Sequence, residues 1–353
     1  MAHNRHLRLS EPSADPFGER CRPQLRERLQ LLGGRFQFTT DSPQLLRIVR
    51  QAYSGLPAHA FERVAPQFTV RLTLTDRYRA ADANHEPPRV LPVSAAGLLC
   101  GAMETASFVA VAPAQRSALV VVPRDLLAFP YHVRYEMLEF AVYVLAARVQ
   151  GLVPVHAACV GRDGEGILLM GASGSGKTTV SLHCLLAGME FLAEDSVLIT
   201  PRGLRATGVA NFLHVRRDSL RFLDSGSRAV LVARAPAIRR RSGVEKLEID
   251  LRRLPYRLAP APLRIRALVF MSPKRAGARA LLAPMPPRRV MQRLAASQRY
   301  AARQPGWKAF VRRAHRLPAF ELSRGNHPHE AVEALQRLLP PAPRGAAGRR
   351  SGA

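Results

Sequence analysis

Eight consecutive residues, Gly171-Ala172-Ser173-Gly174-Ser175-Gly176-Lys177-Thr178, have the types and spacing of a phosphate cradle. They fit the pattern G-x-x-x-x-G-K-[ST]. Before them, the apolar run Ile167-Leu168-Leu169-Met170 predicts a short buried strand; a helical pattern opens at Gly176. Glycines let successive backbone N–H groups converge on one point and keep Cβ atoms out of a phosphate's way. The following helix adds the positive end of its dipole, Lys177 a mobile charge and Thr178 a hydroxyl suited to Mg2+; Thr179 is counted with the loop. Of 53 basic residues only Lys177, Lys246, Lys274 and Lys308 are lysines, so a lysine at the position the motif demands is informative. The expectation is a site for a nucleoside triphosphate, ATP with Mg2+.

Phosphoryl transfer to a hydroxyl also needs a metal ligand and a base for the hydroxyl proton. Glu194 and Asp195 close the apolar segment Phe191-Leu192-Ala193, 17 and 18 positions after Lys177. Carboxylates at a strand end beside such a loop can hold Mg2+ directly or through water, and a neighbouring one can accept a proton. The bland alternative is a solvated acidic turn. His156, 21 positions before Lys177, is expected in the middle of a strand over residues 153–160. There it is either a satisfied core histidine or, if that strand lies beside residues 167–170, a hydrogen-bond partner for a site carboxylate. Arg239-Arg240-Arg241-Ser242-Gly243-Val244-Glu245-Lys246 reads as a basic, glycine-containing loop that leads into a strand, with a solvated charge run as the alternative.

These residues need elements to hold them. In residues 25–150 Phe36 and Phe38 alternate with polar neighbours as in a strand. Asp41-Ser42-Pro43 signals the start of a helix, with Pro43 at its first position, that runs to about Tyr53, before Gly55. Phe68, Val70, Leu72 and Leu74 predict a half-buried strand, residues 79–88 a loop, and residues 107–111 and 118–122 two strands joined at Pro113. This makes a small α+β domain of unknown role. Leu138, Val142, Leu145 and Val149 fall on one face of a long amphipathic helix that Gly151 ends. Residues 151–340 then form the nucleotide-binding domain. Asp163-Gly164 is a tight hairpin turn into the strand before the loop, and Val180, Cys184 and Ala187 line one side of the helix that Gly188 caps. Further strands are predicted at 191–193, 197–199, 247–249, 263–270 and 319–322, a helix around 289–302, and a last helix marked by Val332, Leu335 and Leu339. Residues 1–24 read as a flexible arm and 341–353 as a disordered basic tail.

At 353 residues there is room for two ordinary domains, and a hydrophobic fraction of 47% is that of a globular chain. Cys21, Cys100, Cys159 and Cys184 show no C-x-x-C spacing, so neither a zinc site nor a disulfide framework is expected. No apolar signal segment opens the chain and no uncharged apolar stretch reaches 18 residues; a cytoplasmic protein without a membrane span is expected. The net charge of +27 comes from arginine spread along the whole chain, with 6% aromatics and no RNP-like motif, zinc finger or lysine-rich arm. Nucleic acid is therefore not the expected partner.

Taken in order, Val155-His156-Ala157-Ala158-Cys159-Val160, the strand-first loop at 171–178 and Phe191-Leu192-Ala193-Glu194-Asp195-Ser196-Val197 resemble the catalytic core of the HPr kinase/phosphorylase family. The resemblance covers residues 150–250 and, more loosely, the chain to about 340. It implies an α/β (α+β) fold with a P-loop core of the phosphoenolpyruvate carboxykinase type, preceded by the small α+β domain. It also implies an ATP-dependent phosphotransferase that moves the γ-phosphoryl group to a serine or other hydroxyl of a protein or peptide. In that frame Lys177 holds phosphates, Thr178 and Asp195 hold Mg2+, Glu194 is the general base and His156 orients it. Lys246, with an arginine behind it, is the basic contact to phosphate or substrate.

Two departures from the family stand out. Glu194 occupies a position that is usually Asp, and its extra methylene moves the carboxylate by about an ångström. A shift of that size costs a catalytic arrangement on the order of 10²-fold unless the scaffold compensates. Residues 1–150 do not resemble the family's regulatory domain; the chain is closer to HPr-kinase-related proteins of proteobacteria associated with peptide modification. Classical relatives are hexamers, and assembly of this chain with its own copies is left open. The alternatives are a nucleotide-sensing module without significant turnover, a small-molecule or carboxykinase-like kinase and, last, a nucleic-acid-dependent ATPase.

Overall fold

The computed structural model describes residues 24–76, 87, 89–95, 97–104, 107–276 and 280–341. The arm expected before residue 24, most of the expected loop over 79–88 and the tail after residue 341 lie outside the described residues. The architecture is mixed α/β, built on three sheets.

The first sheet has seven strands in the order Leu25–Leu31, Gly34–Thr40, Gln67–Thr75, Ser117–Pro123, Ser107–Ala112, Leu98–Glu104 and Leu91–Ala95. The strands expected around Phe36, Phe68 and residues 107–122 are its centre. The outer strands, Leu25–Leu31 on one side and Leu91–Ala95 with Leu98–Glu104 on the other, were not predicted. The first two strands form a hairpin across Leu32 and Gly33. Alternation sends Phe36, Phe38, Phe68, Val70 and Leu72 to one face, where helix Pro43–Tyr53 covers them. Ser42 caps that helix by accepting from the Leu45 N–H at 3.3 Å, and Pro43 takes the first position, where its missing N–H is no loss.

The long helix after this sheet differs from expectation. The chain winds without a break through Pro130–His132, a π-helical segment Val133–Leu138 and Glu139–Gln150, before Gly151 ends it at φ 61°. It is not amphipathic. Ala141, Val142, Val144, Leu145, Ala146 and Ala147 are all buried, because the helix packs on the sheet with one side and beneath the second half of the chain with the other. Leu198 and Val209 belong to the same core. Polar contacts also cross here: Asn211 Nδ2 donates to the Ala52 carbonyl at 2.8 Å, and the His59 ring bonds Thr207 and the Ala259 carbonyl.

The second sheet runs Glu190–Ala193, Ala158–Arg162, Glu165–Met170, Leu263–Arg275, Arg205–Gly208, Val197–Ile199 and Val153–Val155, with Ala319–Arg324 and Leu282–Pro284 added beside Leu263–Arg275. Leu263–Arg275 is longer than predicted because it changes neighbour. It pairs with Arg205–Gly208 at its start and with Ala319–Arg324 from Leu268 onward. Asp163 and Gly164, at φ 50° and 81°, make the expected tight hairpin. One face of the sheet carries helices Lys177–Leu186 and Pro328–Gln336, and the other carries Pro287–Ser297 and Trp307–Ala314. The small third sheet orders Phe212–Val215, Glu245–Asp250 and Ala237–Arg239 antiparallel.

Residues 153–160 are not one strand. Val153–Val155 pairs with Val197–Ile199, whereas Ala158–Arg162 pairs with Glu165–Met170 and Glu190–Ala193. His156 falls in the break between them and is exposed, so the mid-strand placement is corrected. A side chain replaces the lost ladder. Gln298 Oε1 accepts from the His156 N–H at 2.8 Å, and its Nε2 donates to the His156 carbonyl at 3.0 Å.

Candidate functional site

Strand Glu165–Met170 delivers residues 171–176 to the start of helix Lys177–Leu186. Gly174 and Gly176 lie at φ 79° and 103°, where a Cβ would be strained, so the loop's reversal needs glycine at both. Ala172, Ser173 and Gly174 face outward, while Ser175 is buried. Arg324, from strand Ala319–Arg324 on the far side of Leu263–Arg275, donates to the Gly174 carbonyl at 3.1 Å and props the loop from outside.

Lys177 is 5% exposed and folds back over the loop, donating to the Gly171 carbonyl at 2.7 Å. Its Nζ lies 3.4 Å from His156 Nε2 and 3.9 Å from Asp195 Oδ1. Burial lowers its pKa below the usual lysine value, against the pull of Asp195 and Glu194. Thr178 Oγ1 donates to Glu194 Oε1 at 2.8 Å, and Thr179 Oγ1 meets Ser219 Oγ at 3.0 Å. Loop, lysine, acidic turn and His156 therefore converge.

The two acidic residues have unlike surroundings. Glu194 is 7% exposed, and its second oxygen accepts from both the backbone N–H (3.0 Å) and the Nδ1 (2.8 Å) of His214. Burial alone would raise this carboxyl. The charge and hydrogen bond of His214, with Lys246 and the Thr178 hydroxyl, instead hold it below the usual carboxylate range. Asp195 is 39% exposed, within 3.9 Å of Lys177 and 3.8 Å of Arg240. His156 uses Nδ1 on the backbone carbonyl of Asp195, at 2.9 Å. The partner that orients Glu194 is thus His214, not His156.

His214 was missed in the sequence, and it extends the site inward. Its Nε2 lies 3.4 Å from Glu248 Oε1, which also accepts from the Tyr135 hydroxyl at 3.1 Å; Arg134 Nη2 holds Glu248 Oε2 at 2.7 Å. Burial would lower the histidine's pKa, but Glu194 and Glu248 on either side raise it, favouring an imidazolium. Arg134 lies over the rings of Phe212 and Tyr135, at 4.8 and 5.2 Å. The sequence signal for His214 is weak: one histidine in the apolar tetrapeptide Phe212–Val215, at no fixed spacing from the loop.

The basic segment is a hairpin between Ala237–Arg239 and Glu245–Asp250. Arg240 turns to Asp195, and Arg241 pairs with Glu136 of the π-helical segment. Lys246 makes no hydrogen bond or ion pair among the described residues. Burial lowers its pKa while the charge of Glu194 raises it, so its ammonium lies within electrostatic reach of the acidic turn.

No protein-family model and no curated protein matches the chain. Among solved structures, the Hpr(Ser) kinase/phosphatase from Coxiella burnetii is distantly similar, at 12% identity and a TM-score of 0.25, over 52% of this chain and 90% of that one. A likeness of that size says nothing about activity. Among the described residues no helix is long and apolar enough to cross a membrane.

Proposed function

We propose that the chain is an ATP-dependent kinase that moves the γ-phosphoryl group to a hydroxyl of a protein or peptide. The reading rests on the hydrogen bond from Thr178 to Glu194, which joins the end of the loop to the acidic turn while Lys177 lies beside Asp195. The loop is suited to an anion. No side chain caps the helix at Gly176, and Ser175 Oγ is buried without a partner among the described residues. Mg2+ suits the donors, since the Thr178 hydroxyl and the Glu194 carboxylate are hard oxygens. No group of three or more His, Cys, Asp or Glu gathers to cage a metal among the described residues, so phosphate and water would complete the ion's shell. Once bound, the ion would neutralise phosphate charge.

The acidic pair is assigned in the reverse of the sequence expectation. We assign Glu194, held ionised by His214 and with a lone pair of Oε1 left beside the Thr178 bond, to the metal side, and Asp195, open and beside Lys177, to the proton. In the transfer the acceptor oxygen bonds the γ-phosphorus as the bond to the bridging oxygen breaks. ADP leaves with that electron pair, and the hydroxyl proton passes to Asp195. The loop amides and Lys177 hold the phosphates, Lys246 and Arg240 add positive charge, and His156 fixes the turn through the Asp195 carbonyl.

Asp195→Asn tests this. Calorimetry should show Mg·ATP affinity changed by less than about threefold, while loss of the γ-phosphoryl group from labelled ATP slows by ~10² to 10⁴. Undiminished turnover would remove Asp195 from the chemistry. A second reading, a nucleotide sensor with negligible turnover, is favoured by the path from Thr178 through Glu194, His214 and Glu248 to Arg134 and Tyr135 of the first half. Tight Mg·ATP binding without release or transfer of label would select it.

A further inference from the structure

A cavity of about 380 Å3 opens on the acidic turn from the side of the π-helical segment, and none of residues 171–178 lines it. Tyr131, Tyr135, Tyr143 and Phe212 give its walls four aromatic rings, set among charged side chains that include Asp195. Most charges around it are already matched. Glu136 is paired with Arg241 and His132, Glu194 with His214, and Asp195 lies 3.8 Å from Arg240. Two groups are less well matched, the Arg240 Nε, buried without a hydrogen-bond partner among the described residues, and Glu139. Glu139 lines the cavity with no hydrogen bond or ion pair among the described residues, and burial pushes its carboxyl up to about 8, so near neutral pH it presents both a donor and an acceptor.

Building on the kinase reading, we propose that this cavity seats the phosphoacceptor and selects an uncharged hydroxyl-bearing group with an apolar or aromatic flank. A charged flank would lose its water against walls whose carboxylates are mostly paired, with the Arg240 Nε the one unmatched cationic donor among the described lining residues. An aromatic flank gains ring contacts with the tyrosines, and the free Glu139 carboxyl meets an amide or hydroxyl of the acceptor. The volume lies at the low end of ligand pockets, which suits a short segment or small molecule rather than the face of a folded domain. Because three of the four rings come from residues 131–143, the first half of the chain would set which acceptor is taken.

The test uses the full chain saturated with Mg2+ and a non-hydrolysable ATP analogue. Three labelled, acetylated and amidated pentapeptides carry a central serine flanked by phenylalanine, glutamate or arginine, and binding is read by anisotropy. The phenylalanine-flanked peptide should bind at least about tenfold more tightly than either charged one. Tyr131→Ala should weaken it by about tenfold, and Tyr131→Phe by less than about threefold. Displacement by millimolar 2-phenylethanol would point to a free alcohol as the source of the group, and lack of displacement to a peptide; either agrees with the proposed chemistry. Equal affinities, a preference for a charged flank, no binding of any peptide, or indifference to Tyr131→Ala would overturn the proposal. The wild-type comparison needs no variant to fold. Calorimetry with Mg·ATP alone separates the two claims: absence of nucleotide binding removes both, whereas nucleotide binding without flank preference removes only the acceptor site.

Discussion

Lys177 reaches back six residues to Gly171 and Thr178 reaches forward sixteen to Glu194, whereas Arg134 and Tyr135 cross 114 and 113 positions to meet Glu248. The glycine-rich side of the candidate site is assembled from neighbours along the chain. The helical side exists only once two distant halves have packed together. Glu194 stands at the junction, bonded to Thr178 on one side and His214 on the other, so a carboxylate placed by a local motif is held by a non-local network. Damage far from the loop should therefore reach Glu194 and, on the kinase proposal, nucleotide binding.

The largest expected effect falls on the long-range side. Arg134→Ala leaves Glu248 buried without its guanidinium, and breaking a buried pair from one end costs about 3–5 kcal/mol. Urea denaturation measures it, and a loss below about 1 kcal/mol would show that the helical side is not structural in this sense. On the local side, Lys177→Ala should weaken Mg·ATP binding by ~10²-fold with little change in folding, read by calorimetry and thermal melting together.

Glu139→Gln sharpens the contrast through pH. The folded carboxyl is raised from 4.5 to about 8, so its stabilising contribution is complete below pH 4.5 and is lost as pH rises through 8. The glutamine variant lacks this loss. Its melting temperature should exceed that of the wild type at pH 8 and approach it at pH 5, by about 2–4 °C for each kcal/mol recovered. Smallest is Ser42→Ala, a purely local cap remote from the site. It should cost about 1 kcal/mol and leave Mg·ATP affinity unchanged.

What was legible follows the same division. Helix Pro43–Tyr53 begins at a cap and a proline that announce themselves, the hairpin at Asp163-Gly164 is set by two residues, and residues 171–178 carry their geometry in their glycines. Edge strands were harder to read. Leu25–Leu31 carries Arg26, Glu27 and Arg28, and Leu91–Ala95 contains Pro92; charge and proline suit an edge and hide the apolar alternation. The break at His156 was invisible because its cause, Gln298, lies 142 residues away. His214 was missed for a similar reason: its importance comes from Glu194 and Glu248, which only packing brings to it. Glu194 and Asp195 are adjacent and alike in the sequence, while burial, which no spacing reports, decides how different their surroundings are.

The Gln298 amide does for one residue what a neighbouring strand does for many, and it needs an oxygen on one prong and an N–H on the other. Slow hydrolysis of that single amide would set a carboxylate against a carbonyl oxygen and unlatch the backbone beneath the imidazole that touches Lys177. Ageing of the purified protein would thus loosen the surroundings of Lys177 with every residue of the glycine-rich loop chemically intact.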